Sequence, residues 1–82
     1  MEETRIAIIA IVVEDSESVT SMNEILHEYA KYIIGRMGIP YHKKNISLIS
    51  VAIDAPSDVI SALCGKLGNI SGLTVKAAYS KI

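Results

Sequence analysis

The sequence predicts one small α+β domain over residues 1–82, with ferredoxin-like βαββαβ topology and both helices on one face of a four-stranded antiparallel sheet. The first observation behind this is the order of the patterned segments, which is strand, helix, strand, strand, helix, strand. Two interleaved right-handed βαβ units close that order into one sheet whose first and third strands are central. The second observation is that the first and third strand segments are apolar at most positions. The topology therefore makes central the two segments that are apolar on both faces, so the two observations agree.

The first half of the chain supplies a strand, a helix and a short edge strand. Residues 6–13 are β-branched residues and alanines, which is typical of a strand buried on both faces. Asp15 or Ser16 is available as the N-cap of the helix that follows, and Gly35 is expected to end that helix. Residues 39–44 contain a proline and are expected to form a short edge strand. One helical stripe at spacings of three and four residues consists of Val19, Met22, Leu26, Tyr29 and Ile33.

The second half repeats the pattern. Residues 46–53 form a second strongly apolar strand. Pro56 suits the first turn of the second helix, where its missing N–H would be unpaired anyway, and Gly68 suits the C-terminal cap. Residues 73–79 alternate between apolar and polar side chains, as a half-buried edge strand does. The expected buried face of the second helix consists of Ile60, Leu63, Cys64 and Leu67.

The predicted sheet has one face that its own helices do not cover. Side chains along residues 6–13 alternate between the two faces, so half of this apolar set must point away from the helices. The same holds for residues 46–53. A domain of 82 residues has a marginal core, and small domains compensate with disulfides, a metal or oligomerisation. We therefore expect self-association, as a dimer or a dimer of dimers, through the open sheet face.

Composition excludes several function classes. The net charge of −1 leaves no surplus of Lys and Arg for phosphates, and the central strands carry no aromatic side chains for stacking bases. We therefore expect no direct nucleic-acid binding. The apolar run at residues 6–13 is too short to span a bilayer, and its acidic start does not suit a signal peptide. A single cysteine, Cys64, suits a reducing compartment, so we expect a cytoplasmic protein without membrane contact.

Few residues could carry catalysis or hold a metal. Cys64 lies on the expected buried face of a helix, where cysteine ordinarily acts as a small hydrophobe. Small acyl-phosphate hydrolases of this fold need an arginine after the first strand, whereas Arg5 precedes it. We assign no catalytic residue and expect no enzyme. His27, His42 and Cys64 lack the short paired spacing of structural zinc sites. A metal site shared between subunits is left open, and any metal or cofactor is unknown.

Two glycine-containing segments are interpreted as turns. The glycines of residues 65–72 lie at the C-terminal end of a helix, whereas a phosphate-binding loop opens one. Residues 35–40 hold two glycines and a proline, which predict a tight corner first and a ligand loop second. Arg36 is the one charge in that corner that could hold a carboxylate or phosphate. The candidate ligand-binding residues are Gly38 of this corner and the two side chains that are expected to flank it, His27 and Arg36.

Four segments carry a family resemblance: residues 11–15, 23–27, 36–40, and 65–72 together with 75–76. The most specific stretch is Gly-Lys-Leu-Gly at residues 65–68. In these segments the chain resembles, over nearly its whole length, the small bacterial proteins called putative iron-only hydrogenase system regulators. The resemblance implies an ACT-like, ferredoxin-like fold and regulation connected with such a hydrogenase system. It brings no catalytic residues to carry over.

The implied fold is also similar to the C-terminal domain of the nickel-responsive repressor and to amino-acid-binding ACT domains. Laid against the repressor, its helix histidine falls on His27. Its other three ligand positions fall on Gly38, Pro40 and Ile46, whose side chains cannot ligate a metal, so the nickel site is not carried over. Residues 14–18 lack the glycine with which an ACT loop closes on an amino acid.

Two function hypotheses follow. The first is a non-enzymatic regulatory or sensing module that self-associates and binds a small ligand, or a regulatory protein partner, at a subunit boundary. The alternative is a purely structural oligomerisation or partner-binding domain without a ligand. The fold by itself does not choose between them.

Overall fold

The computed structural model describes residues 3–81 and has the predicted order of strands and helices. The four strands form one antiparallel sheet in the order β2-β3-β1-β4, so β1 and β3 are central. This confirms the ferredoxin-like α+β fold class. No helix among the described residues is long and apolar enough to cross a membrane. The elements are β1 (Arg5–Val13), α1 (Val19–Glu28), β2 (Ile33–Tyr41), β3 (Ile46–Ala55), α2 (Ser57–Gly68) and β4 (Leu73–Tyr79).

The strand register separates the apolar residues of the sheet into two sets. Ile9 lies opposite Val51, and both are fully buried beneath the helices. Ile8 lies opposite Ala52 on the other face, and its side chain is exposed. The division of residues 6–13 between two faces is therefore confirmed. The buried core consists of Ala7, Ile9, Ile11, Val13, Met22, Leu26, Val51, Ile53, Ala55, Ile60, Leu63 and Leu67.

The helices form where local signals and an apolar face coincide. The Asp15 carboxylate accepts a hydrogen bond from the Glu17 N–H at 3.0 Å and caps the 3-10 turn Ser16–Ser18, which leads into α1. Pro56 lies immediately before α2, where its missing N–H breaks no helical hydrogen bond. Three of the four predicted core positions of α2 are buried, and Cys64 is half-buried.

The boundary between the first helix and the second strand was predicted wrongly. Helix α1 ends at Glu28, and a 3-10 turn over Ala30–Tyr32 reverses the chain before β2 begins at Ile33. Ile33 therefore belongs to the sheet, where it pairs with Ile53 of the central strand. Two successive β-branched residues at 33–34 favour a strand, and this pairing outweighs the helical spacing.

The expected corner at residues 35–40 is wrong, and the strand expected at residues 39–44 is an edge strand as predicted but has other bounds, Ile33–Tyr41. Residues 35–40 lie within the edge strand β2, and a turn over residues 42–45 follows it. The register shifts between Ile33 and Gly35, so Ile34 is the extra residue of a β-bulge. The turn closes at Asn45, whose φ of 56° lies in the left-handed region that asparagine tolerates.

Candidate functional site

A groove between α1 and the edge strand β2 brings two of the predicted ligand residues together. Arg36 lies opposite Val51, on the helix-covered side of the sheet edge. Its guanidinium donates a hydrogen bond to Asn23 Oδ1 at 3.1 Å. His27 follows Asn23 by four residues, which places both on the same side of α1. The groove has a volume of about 270 Å³ and is lined by Asn23, Leu26, His27, Ala30, Ile33 and Arg36.

The positive charge of Arg36 is not balanced by an acid of the described chain. Within residues 3–81, the ion pair that does form joins Lys66 Nζ to Glu28 Oε1 at 3.5 Å, at the ends of the two helices. A hydrogen bond that Lys66 donates to the Tyr29 hydroxyl and the charge of Glu28 raise the pKa of Lys66. Arg36 instead has a neutral amide as its partner. The groove therefore presents one uncompensated cation above an otherwise mostly apolar lining.

The third predicted ligand residue lies outside the groove. Gly38 is opposite Ile49, and a Cβ added to it would make ordinary contact with Ile49 Cγ1 at 3.8 Å. His42 is in the turn after β2, and Cys64 is on α2. Among residues 3–81, no group of three or more His, Cys, Asp and Glu side chains could hold a metal ion. The structure therefore brings His27 and Arg36 together and leaves the other candidates apart.

The open face of the sheet carries apolar residues that the sequence analysis did not single out. Met37, Ile39 and Tyr41 of β2 lie opposite Ser50, Leu48 and Ile46, and so extend the open face to the sheet edge. Their alternation with Arg36, Gly38 and Pro40 is the signal that identifies them, because period two indicates a strand. The exposed fractions of the large apolar side chains on this face are Met37 68%, Ile39 59%, Ile8 44%, Tyr41 42% and Leu48 41%.

The groove and the open face meet at Arg36 and Met37. A depression of about 420 Å³ on the open face reaches both residues from the side opposite the groove. Strand β2 therefore separates the two surfaces and contributes residues to both. It is flanked by solvent on its outer edge, and it contains a bulge and two glycines.

We expect the Cys64 thiol to react slowly with iodoacetamide in the native protein. Partial burial on α2 raises the pKa of this thiol, which reduces the thiolate fraction at neutral pH. The thiol has a higher pKa in the folded protein than in the unfolded chain, so the unfolded chain loses this proton first as the pH rises. The free energy of unfolding therefore falls as the pH rises above 9.0, the ordinary pKa of the group. The reaction rate in native buffer, compared with that in urea at the same pH, measures the protection. Equal rates in the two conditions would contradict the protection of Cys64. In the Cys64→Ala variant, the loss of stability that this thiol causes above pH 9.0 should be absent.

Comparisons with known proteins agree with the fold. The solved structure of the uncharacterized protein TM1266 from Thermotoga maritima superposes with a TM-score of 0.92 at 38% sequence identity, covering 96% of this chain and 100% of that one. A formyltetrahydrofolate deformylase from Pseudomonas putida KT2440 superposes with a TM-score of 0.63 at 13% identity. It covers 89% of this chain and 28% of the deformylase, which is a likeness of fold alone. A comparison with curated proteins found no significant match.

A family model also matches residues 5–77, which is most of the chain. The family is TM1266-like, with the description "Iron-only hydrogenase system regulator, putative". The match and the identity to TM1266 agree with the resemblance read from the sequence segments. This chain therefore belongs to the TM1266-like family of putative iron-only hydrogenase system regulators.

Proposed function

We propose that this protein is a non-enzymatic regulatory module of an iron-only hydrogenase system, which works as a dimer joined through the open faces of two sheets. The observation that carries the proposal is the row of exposed apolar side chains across β2, β3 and β1. The family description supplies the regulatory context. The occupant of the open face is a second copy of the chain.

The size of the open face supports a dimer. Four strands about 4.8 Å apart, each roughly nine residues long at about 3.3 Å per residue, make a face of roughly 20 by 30 Å. This is about 600 Å², of the same order as the ~800 Å² that each partner of a stable interface buries. A second sheet with the same pattern would cover it in a single isologous contact.

The charge distribution supports the same assignment. At the centre of the open face, Ile8 and Val12 of β1 lie beside Ala52 and Leu48 of β3, with no ionisable group among them. Asp54 at the end of β3 and Lys76 on the outer strand β4 are the charged residues on this side of the sheet register. An apolar centre with charges toward the margin is the usual anatomy of a protein–protein interface.

Replacing Leu48 by glutamate is expected to raise the dimer dissociation constant by about 100-fold or more, because an unpaired carboxylate would have to be buried within the contact. Leu48 is on the central strand β3, opposite Val12 on one side and Ile39 on the other, so apolar side chains flank it on both sides. Sedimentation velocity over a range of micromolar concentrations measures the change. Native mass spectrometry of the wild type gives the assembly size.

The matched control is Ser61→Glu, which adds the same charge to an exposed position of α2 on the helix side of the sheet. We expect this variant to associate like the wild type. A wild-type protein that remains monomeric at micromolar concentration would contradict the proposal. So would equal association of the two glutamate variants, which would place the contact on another surface.

A further inference from the structure

We propose that the groove between α1 and β2 is a binding site for a small aliphatic monocarboxylate, anchored by Arg36. The inference rests on the proposed function for the regulatory meaning of such a ligand, but binding itself requires only the groove of one chain. The chemistry of the site follows from its donors, its lining and its volume.

The polar groups of the groove are donors for an anion. Arg36 presents a planar guanidinium whose fork matches a carboxylate, and no acid of residues 3–81 forms an ion pair with it. Because Asn23 Oδ1 already accepts from Arg36, the amide NH₂ of Asn23 remains as a donor toward the groove. His27 adds a ring N–H. The partial negative charge of about 0.5 at the C-terminal end of α1 is smaller than the full charge of the guanidinium.

The rest of the lining selects an aliphatic body without an amino group. Leu26, Ala30 and Ile33 form the apolar part of the groove. The six lining residues include no Asp or Glu, so no carboxylate of the groove would pair with a ligand ammonium. A single guanidinium also balances one negative charge and leaves a phosphate dianion half-neutralised. A monocarboxylate with an alkyl chain meets all three conditions: an apolar body, no ammonium and a single negative charge.

The volume of the groove guides the choice of probe. About 270 Å³ corresponds to roughly nine water molecules at ~30 Å³ each, which suits a molecule with fewer than ten non-hydrogen atoms. 4-Methylpentanoate, with a six-carbon skeleton and one carboxylate, fits this limit. Leucine has the same skeleton with an added ammonium group, so the two form a matched pair of probes.

The position of Arg36 explains how a ligand would act on assembly. The next residue, Met37, is the most exposed of the large apolar side chains and lies on the open face. A ligand on Arg36 and a second copy on Met37 would therefore contact adjacent residues of one edge strand. The bulge at Ile34 interrupts the pairing of this strand, which has one neighbouring strand, whereas the central strands have two. Any effect of the ligand on association would be matched by an equal effect of association on ligand affinity.

The test is titration of the full chain with 4-methylpentanoate, leucine and inorganic phosphate, followed by amide NMR shifts and calorimetry. We expect 4-methylpentanoate to shift the resonances of Asn23, His27 and Arg36, and to bind at least tenfold more tightly than leucine or phosphate. Arg36→Gln should weaken its binding by about 10- to 100-fold, as expected for loss of hydrogen bonds to a charged group. Arg5→Gln removes the same charge at the start of β1, where the guanidinium stacks 4.3 Å from the Tyr79 ring, and should leave binding unchanged.

Absence of shifts in the wild type, equal binding of leucine, or unchanged affinity in Arg36→Gln would each overturn the assignment. An equal loss of affinity in the Arg5→Gln variant would also overturn the assignment, because such a loss would indicate a general effect of net charge. The readout is separate from that of the dimer proposal. Failure of the titration leaves the sedimentation result standing, and a monomeric wild type can still bind the acid in its groove.

Discussion

Replacing Leu63 by alanine is expected to lower the free energy of unfolding by about 2–5 kcal/mol, because it removes a large buried side chain and leaves a cavity that the core only partly refills. Leu63 has no exposed surface and lies on the face of α2 that covers the sheet. A chain of 82 residues has a total stability of only about 4–12 kcal/mol. This one substitution therefore removes a large fraction of it.

Urea denaturation followed by far-UV circular dichroism measures the loss, at one protein concentration because association adds to apparent stability. Ser61→Ala on the exposed side of the same helix is the control, with an expected change within about 0.5 kcal/mol. If Leu63→Ala lowered the free energy of unfolding by no more than the control, α2 would not pack on the sheet as described.

The order of elements and the core were predictable from the sequence because β1 and β3 are apolar on both faces. That pattern identifies a central strand wherever it occurs, and two such strands in a six-element chain leave few topologies. Residues 73–79 were predicted with the observed bounds because Leu73, Val75 and Ala77 alternate with Thr74 and Lys76. Predictions based on apolar residues at most positions, or on alternation, were therefore right.

The start of β2 was not predictable in the same way. Ile33 continues the helical spacing from Leu26 and Tyr29, so local periodicity alone extends the helix. The pairing of Ile33 with Ile53, across twenty residues, decides against it, and no local window contains that contact. The bulge at Ile34 also interrupts the alternation that would otherwise mark the strand.

The sequence predicted two residues of the groove, Arg36 and His27, but it placed Arg36 in the wrong kind of local structure. Arg36 was selected as a charge in a glycine-rich corner, but it lies in a strand, and its partner in the groove is Asn23 of α1. His27 was found from the sequence, and the structure places it beside Arg36. Asn23 was not singled out, because a polar residue on a helix surface has no sequence signal for a contact thirteen positions away.

The loop after β1 meets the loop before β4 at the end of the sheet opposite the start of β1, and we call this contact the loop junction. The Glu14 N–H donates to the Gly72 carbonyl at 2.7 Å, and Thr74 Oγ1 donates to the Glu14 carboxylate at 3.2 Å. The buried Ser18 hydroxyl donates to the Ser71 carbonyl. These contacts join the segment that precedes α1 to the segment that follows α2, so they fix both helices relative to the sheet.

Gly72 lies in this junction at a position that no other residue type fits. Its φ of +88° lies in the region that glycine adopts without a steric penalty. A Cβ at this position would come within 2.7 Å of Asp15 Cβ and 2.8 Å of Ser18 Oγ. Asp15 Cβ is held by the backbone, and Ser18 Oγ is held by its hydrogen bond to Ser71, so neither can move away freely. Both the backbone conformation and the space require glycine.

We therefore expect Gly72→Ala to destabilise the protein by about 2–4 kcal/mol, the sum of the positive-φ cost of about 1–2 kcal/mol and an overpacking cost of a similar size. Gly68→Ala is the control, because Gly68 is in the last turn of α2 and no atom lies within 4 Å of an added Cβ. Helix propensity predicts that this control stabilises the protein by about 0.5–1 kcal/mol. Urea denaturation of both variants measures changes of opposite sign if the junction is packed as described. Similar values for the two would mean that the loops after β1 and before β4 do not meet, and that the helices are held by their core contacts alone.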